Sequence, residues 1–124
     1  MADGPDWNPT GRLRVGACQT PEILADPGAA LACIENFARQ GADHDVELLL
    51  FPECFLQGYL VDPDHVRRHA VDLGSANFAA VLRRLEPIEA TVVVGVIETE
   101  QGRYFNTAAV ITRGRLIGRY RKTG

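Results

Sequence analysis

Lysine is nearly absent from this sequence. Twelve of its 13 basic residues are arginine, and Lys122 is the one lysine. Arginine is a planar fork that keeps its proton, whereas lysine is a compact point charge with a tunable pKa. Position 122 therefore stands out as one that takes an amine, although a general preference for arginine accounts for the same count. An excess of positive charge is also missing: the net charge is −3, which argues against a nucleic-acid partner, since such domains carry a basic stripe. Cysteine is scarce and odd in number. Cys18, Cys33 and Cys54 form no C-x-x-C pair and no Cys/His cluster at zinc spacing, which argues against a disulfide scaffold and a structural zinc site. A reducing, cytoplasmic setting is expected. No apolar run approaches the roughly 20 residues of a membrane span, and the first ten residues hold no apolar signal segment, so no membrane partner is expected. Phosphate-binding glycine loops are lacking too. Gly114-Arg115-Leu116-Ile117-Gly118 is followed by Arg119, where a P-loop needs lysine.

What is present is an ordinary globular composition of 124 residues, 46% apolar and 23% charged. That is enough for one packed domain and leaves no room for two. Residues 1–11, with two Pro, two Gly and two Asp, read as a loose leader before a domain at 12–124. Leu13, Val15 and Ala17 alternate with Arg14, Gly16 and Cys18 as a short strand does. Asp26-Pro27 is a helix start, with Asp as cap and Pro at the first helical position. Leu31, Ile34 and Ala38 continue the helix on an apolar face until Gly41 closes it. Residues 46–51, Val-Glu-Leu-Leu-Leu-Phe, suit a strand buried on both faces. Val66, Ala70 and Leu73 predict a helix over 63–73, and Ser75 caps another with Phe78, Val81 or Leu82, and Leu85 inward. Residues 91–97 and 105–112 are strands, and Arg113-Gly114 turns the chain into an antiparallel partner at 115–121. The order predicts an α/β layer on a mixed, mostly parallel sheet with a C-terminal hairpin.

Glu53 directly follows an apolar strand, where α/β folds place ligands. Apolar neighbours there would raise its pKa and suit it to general-base work; a solvated strand-end carboxylate is the plainer alternative. Cys54 is adjacent, but neighbours on extended chain point to opposite sides, so a Cys–Glu pair competes with a simple buried thiol. Lys122 ends a strand and would stabilise an oxyanion, unless it belongs to a solvated basic tail. His65 and His69 have the i, i+4 spacing of a zinc pair, yet no third ligand is placed to complete it, and the expected metal content is none.

These segments together resemble the nitrilase superfamily, the carbon–nitrogen hydrolases. Val15-Gly16-Ala17-Cys18-Gln19 is similar to the family's first strand. Leu49-Leu50-Phe51-Pro52-Glu53, with Gly58-Tyr59 soon after, is similar to its catalytic-glutamate motif. Val93-Val94-Gly95-Val96-Ile97-Glu98 is similar to its central strand. Phe105-Asn106-Thr107-Ala108, followed by Gly118-Arg119-Tyr120-Arg121-Lys122-Thr123, is similar to its hairpin and catalytic-lysine motif. The resemblance implies Glu53 as general base, Lys122 as oxyanion stabiliser, Tyr59 near a substrate pocket, and Asn106 and Glu98 as framework. It implies hydrolysis of small-molecule amides, nitriles or carbamoyl groups through a thioester, without metal or cofactor. The family's nucleophilic cysteine follows its lysine, and none of Cys18, Cys33 and Cys54 does, so no residue here maps onto it.

The resemblance also implies about half of a four-layer α-β-β-α sandwich. Strands at 46–51, 91–97 and 105–112 would then lack the second sheet that covers them. Instability, association into homo-oligomers, or dependence on a complementing chain is the expected consequence. A non-catalytic homologue or interaction subunit is the alternative to an enzyme.

Overall fold

The computed structural model describes residues 13–60 and 62–122. The expected leader lies outside them. The elements are β1 (Val15–Ala17), α1 (Pro27–Ala42), β2 (Leu48–Leu50), α2 (Pro63–His69), α3 (Ala76–Leu85), β3 (Thr91–Glu100), β4 (Arg103–Thr112) and β5 (Arg115–Arg121). The strands lie in one sheet in chain order. β1, β2 and β3 run parallel; β4 and β5 add on antiparallel. The parallel part is short and the hairpins are long. Among the described residues, no helix is long and apolar enough to cross a membrane.

α1 and α3 start where their caps predict. Asp26 accepts from Ala29 N–H at 3.0 Å, and Ser75 accepts from Phe78 N–H at 3.2 Å. α1 buries Ala30, Leu31 and Ile34, and α3 buries Phe78 and Leu85. They pack with Leu49, Val92, Val94, Ala109 and Ile111 from one side of the sheet in a single core. Each fully buried Val, Leu, Ile or Phe there is worth about 1.5–3 kcal/mol. Arg84 joins the helices through a two-pronged bond to Glu35, at 3.1 and 3.0 Å. Gly41 lies within α1 rather than beyond its end. Its missing side chain makes room for Val46, since a Cβ there would sit 3.2 Å from the Val46 Cβ.

Two further expectations fail on this frame. The strand around Leu48–Leu50 is buried on one face only: Leu49 enters the core, while Leu50 is 37% exposed on the other side. The reason is that helices cover only one side of the sheet. The helix expected over 63–73 stops at His69. Val71 instead pairs with β3, donating its N–H to the Ile97 carbonyl at 2.9 Å and accepting from Thr99 N–H at 3.0 Å. An unpaired stretch of strand edge competes with the last helical turn and wins, because buried backbone groups must be satisfied.

Both hairpins turn on two residues with positive φ, Gln101-Gly102 and Arg113-Gly114, the pattern that matches strand twist. The second tip packs against α3, and a Cβ on Gly114 would sit 2.7 Å from the Leu82 carbonyl oxygen.

Candidate active site

β2 is three residues long, so β3 beyond Val93 needs other partners. The chain after β2 supplies them by folding across β3. Gly95 permits that crossing: a Cβ there would lie 2.3 Å from both Cys54 N and the Pro52 oxygen. The Leu56 N–H donates to the Gly95 carbonyl at 3.0 Å. Gln57, only 2% exposed, substitutes for a strand residue. Its amide oxygen accepts from Ile97 N–H at 2.9 Å, and its NH2 donates to the carbonyls of Ile97 and His69 at 2.9 and 3.1 Å. The turn is thereby pinned, and Glu53 emerges at the C-terminal end of β2.

Lys122 reaches the same point from the opposite edge of the sheet. β5 ends at Arg121, and Lys122 follows it, its N–H donating to the Asn106 carbonyl at 2.8 Å. The Lys122 Nζ stands 2.5 Å from Glu53 Oε1, and Asn106 Nδ2 donates to Glu53 Oε2 at 3.5 Å. The two side chains are half-exposed, 45% for Glu53 and 60% for Lys122. The Lys122 hydrogen bond, its charge and then the Asn106 bond hold the Glu53 carboxyl below the usual carboxylate range. The bond and charge of Glu53 push the Lys122 ammonium up, with smaller contributions from Tyr59 and Cys54. This corrects the expectation that apolar neighbours raise Glu53. Phe51 and Phe55 stack on each other within the core, 5.5 Å between centroids, while Glu53 faces solvent and an amine.

Beside the pair lies a cavity of about 270 Å³ walled by Cys54, Tyr59, Val66, Ile97, Tyr104 and Asn106. It is mostly apolar, with Asn106, Tyr59 and Tyr104 the polar residues of its wall. A larger open groove, about 1040 Å³, lies at the other end of the parallel strands among Arg14, Glu47 and Thr91, away from the acid–amine pair.

Cys54 holds a left-handed backbone, φ 55°, and lines the cavity half-buried. Desolvation and then the Glu53 charge push its thiol up, against a weaker pull from Lys122. It is a thiol at neutral pH and a poor nucleophile. Burial likewise raises Cys18 and Cys33. His65 is buried and donates from Nε2 to the Gly58 carbonyl at 3.2 Å, its ring 4.7 Å from that of His69. Among the described residues, no group of three His, Cys, Asp or Glu is gathered as a metal site.

Sequence reasoning placed Asn106 in the framework, yet it touches Glu53. It missed the roles of Gln57 and Gly95. A lone glycine within a β-branched strand was the available signal for a close backbone approach; nothing local marks Gln57. Glu98 is framework as expected, fully buried on the helix side.

The carbon-nitrogen hydrolase family profile matches residues 14–124. A glutamine-dependent NAD(+) synthetase of Mycobacterium tuberculosis is 30% identical over 108 residues, covering 87% of this chain and 16% of that protein. An (R)-stereoselective amidase from a Pseudomonas species is 32% identical over 79 residues, 64% of this chain and 28% of that protein. The chain thus spans less than a third of these relatives. Among solved structures, a glutamine-dependent NAD+ synthetase from Acinetobacter baumannii has a TM-score of 0.75 at 22% identity, over 90% of this chain and 21% of that one. An N-terminal amidase has a TM-score of 0.71 at 18% identity, over 90% and 28%.

Proposed function

The chain belongs to the carbon-nitrogen hydrolase family, and from that premise we propose that it carries the base and the oxyanion-binding amine of a site that hydrolyses amides, nitriles or carbamoyl groups. The observation that carries this reading is the contact of Glu53 with Lys122 at 2.5 Å, between residues 69 apart in sequence. In the proposed route Glu53 removes a thiol proton, and the thiolate adds to the substrate carbonyl carbon. Lys122 binds the oxygen that becomes negative. Glu53 returns the proton to the departing ammonia or amine, then takes one from the water that adds to the thioester and gives it to the sulfur as the carbon–sulfur bond breaks. As the Lys122 ammonium turns toward the oxyanion, its hold on Glu53 slackens and the carboxylate becomes a stronger base. The thiol of this route is not assigned to Cys18, Cys33 or Cys54, because the family's cysteine follows its lysine and all three precede Lys122. The names of the synthetase relatives make the side-chain amide of glutamine the first substrate to try.

The test is ammonia release from glutamine, simple amides and nitriles by the protein purified from its native cell, with its intact mass measured. Glu53→Ala and Lys122→Ala are each expected to lower activity by at least about 10²-fold. Activity surviving both would overturn the assigned roles.

A second reading is a non-catalytic subunit that binds a partner through its open sheet face. It draws support from the apolar side chains there, among them Ile117 at 61% and Tyr120 at 68% exposure. A stoichiometric partner that co-purifies, with no ammonia release from the complex, would favour it.

A further inference from the structure

Lys122 depends on a register choice made five residues earlier. Leu116 pairs with Ile111, and Gly118 pairs with Val110, so the β4–β5 ladder shifts by one residue and leaves Ile117 unpaired. Such a bulge reverses the side to which every later residue points. With it, Arg119 and Arg121 lie opposite Ala109 and Thr107 on the helix side, and Lys122 follows on the open side beside Asn106. Continued without the shift, the register of Leu116 and Ile111 would set Tyr120 opposite Thr107. Lys122 would then point away from Glu53.

One group distinguishes these registers. Glu98 is fully buried on the helix side. Its carboxylate accepts from Thr107 Oγ1 at 2.7 Å, from Arg121 Nε at 2.9 Å, from Arg121 Nη2 at 2.7 Å and from Arg119 Nη1. Arg121 also reaches Glu100 at 2.7 Å and lies 3.9 Å above the Phe105 ring. Only in the bulged register do both arginines face Glu98. In the unbulged one, the buried carboxylate loses both arginines, with their three charged hydrogen bonds reduced to what Lys122, then opposite Phe105, could offer as a single point donor, which is far more costly than exchanging one apolar contact for another.

We propose that Glu98 is a positioning residue for Lys122: by capturing Arg119 and Arg121 it selects the bulged register that delivers the amine to Glu53. This rests on the reading of Glu53 and Lys122 given above.

The lone lysine makes a direct test possible on the full chain. Competitive acylation across pH, followed by peptide mass spectrometry, reads the titration of Lys122 apart from the N-terminal amine. In the unaltered protein Lys122 is expected to label as an amine held protonated by Glu53 and flanked by Tyr59 and Cys54. Glu53→Gln brings it to ordinary lysine behaviour. Glu98→Gln moves it the same way, each unit of fall raising the rate at a fixed lower pH about tenfold. Thr107→Val, which removes one bond and no charge, moves it less and covers the case in which Glu98→Gln does not fold. Deleting Ile117 moves it fully. Val94→Ala loosens the core but leaves the titration in place. If Glu53→Gln shifts Lys122 while the folded Glu98 and Thr107 variants do not, the positioning role is overturned and the proposed function stands. If Glu53→Gln shifts nothing, both are overturned.

Discussion

Glycine-to-alanine changes at positions 95 and 118 should have opposite signs. Neither residue has the left-handed backbone that excludes alanine; among the described residues the glycines with positive φ are 58, 102 and 114. Backbone entropy alone therefore favours alanine at both, by about 0.4–1 kcal/mol. At Gly118 nothing lies within 4 Å of the new methyl group, and the gain is realised. At Gly95 the methyl would stand 2.3 Å from Cys54 N and the Pro52 oxygen and 2.6 Å from the Glu53 carbonyl carbon. Ordinary contact is about 3.5 Å, so the turn must retreat by about 1 Å. The atoms met are backbone, held by the Leu56 and Gln57 bonds, and cannot swing aside as a flexible side chain would. Overpacking of this kind costs about 1–3 kcal/mol, a net loss of about 1–2 kcal/mol once the entropy is returned. Thermal melts followed by circular dichroism should read a drop of roughly 4–8 °C for Gly95→Ala and a rise of roughly 2–4 °C for Gly118→Ala. Under the proposed function, the displaced Glu53 should lower turnover by about 10²-fold. A Gly95→Ala protein as stable as the parent would refute the claim that an absent side chain seats the Glu53 turn.

Gln57→Leu leaves the Ile97 N–H and the His69 carbonyl without the Gln57 amide, while the Ile97 carbonyl keeps the Val71 N–H, and should cost about 2–3 kcal/mol in urea unfolding; a loss under about 0.5 kcal/mol would mean water replaces it. Burial alone would raise the Glu98 carboxyl, but the bonds from Arg121 and Thr107 and the two arginine charges outweigh it and hold it low. The unfolded chain therefore binds this proton more readily. The stabilisation is complete above the ordinary carboxylate range and drains away as pH falls through the depressed native value. Urea midpoints from pH 7 down to pH 2 should fall less steeply for Glu98→Gln than for the parent, from a lower start. Ile117→Glu and Tyr120→Glu place charge on the open face and should shift sedimentation toward the monomer; unchanged association would locate the contact elsewhere.

The elements with local signals were legible in advance. Asp26-Pro27 and Ser75 cap their helices because a short polar side chain next to a helix start meets unpaired N–H groups whatever lies around it. Arg113-Gly114 turns a hairpin for the same kind of reason, and the place of Glu53 just past the end of a short apolar strand was readable from the residues before it. Three things were decided only in the folded state. The end of α2 depends on whether β3 has a free edge, which depends on β2 being short. The direction of the Glu53 pKa depends on an amine far along the chain. The side of the sheet that Lys122 faces depends on one extra residue, Ile117, and on a buried carboxylate that holds the arginines flanking Tyr120. Caps and turns are contacts within a few residues, so composition and spacing reveal them. Side-chain parity and ion pairing are set by register between distant strands, and a shift of a single residue there reverses both.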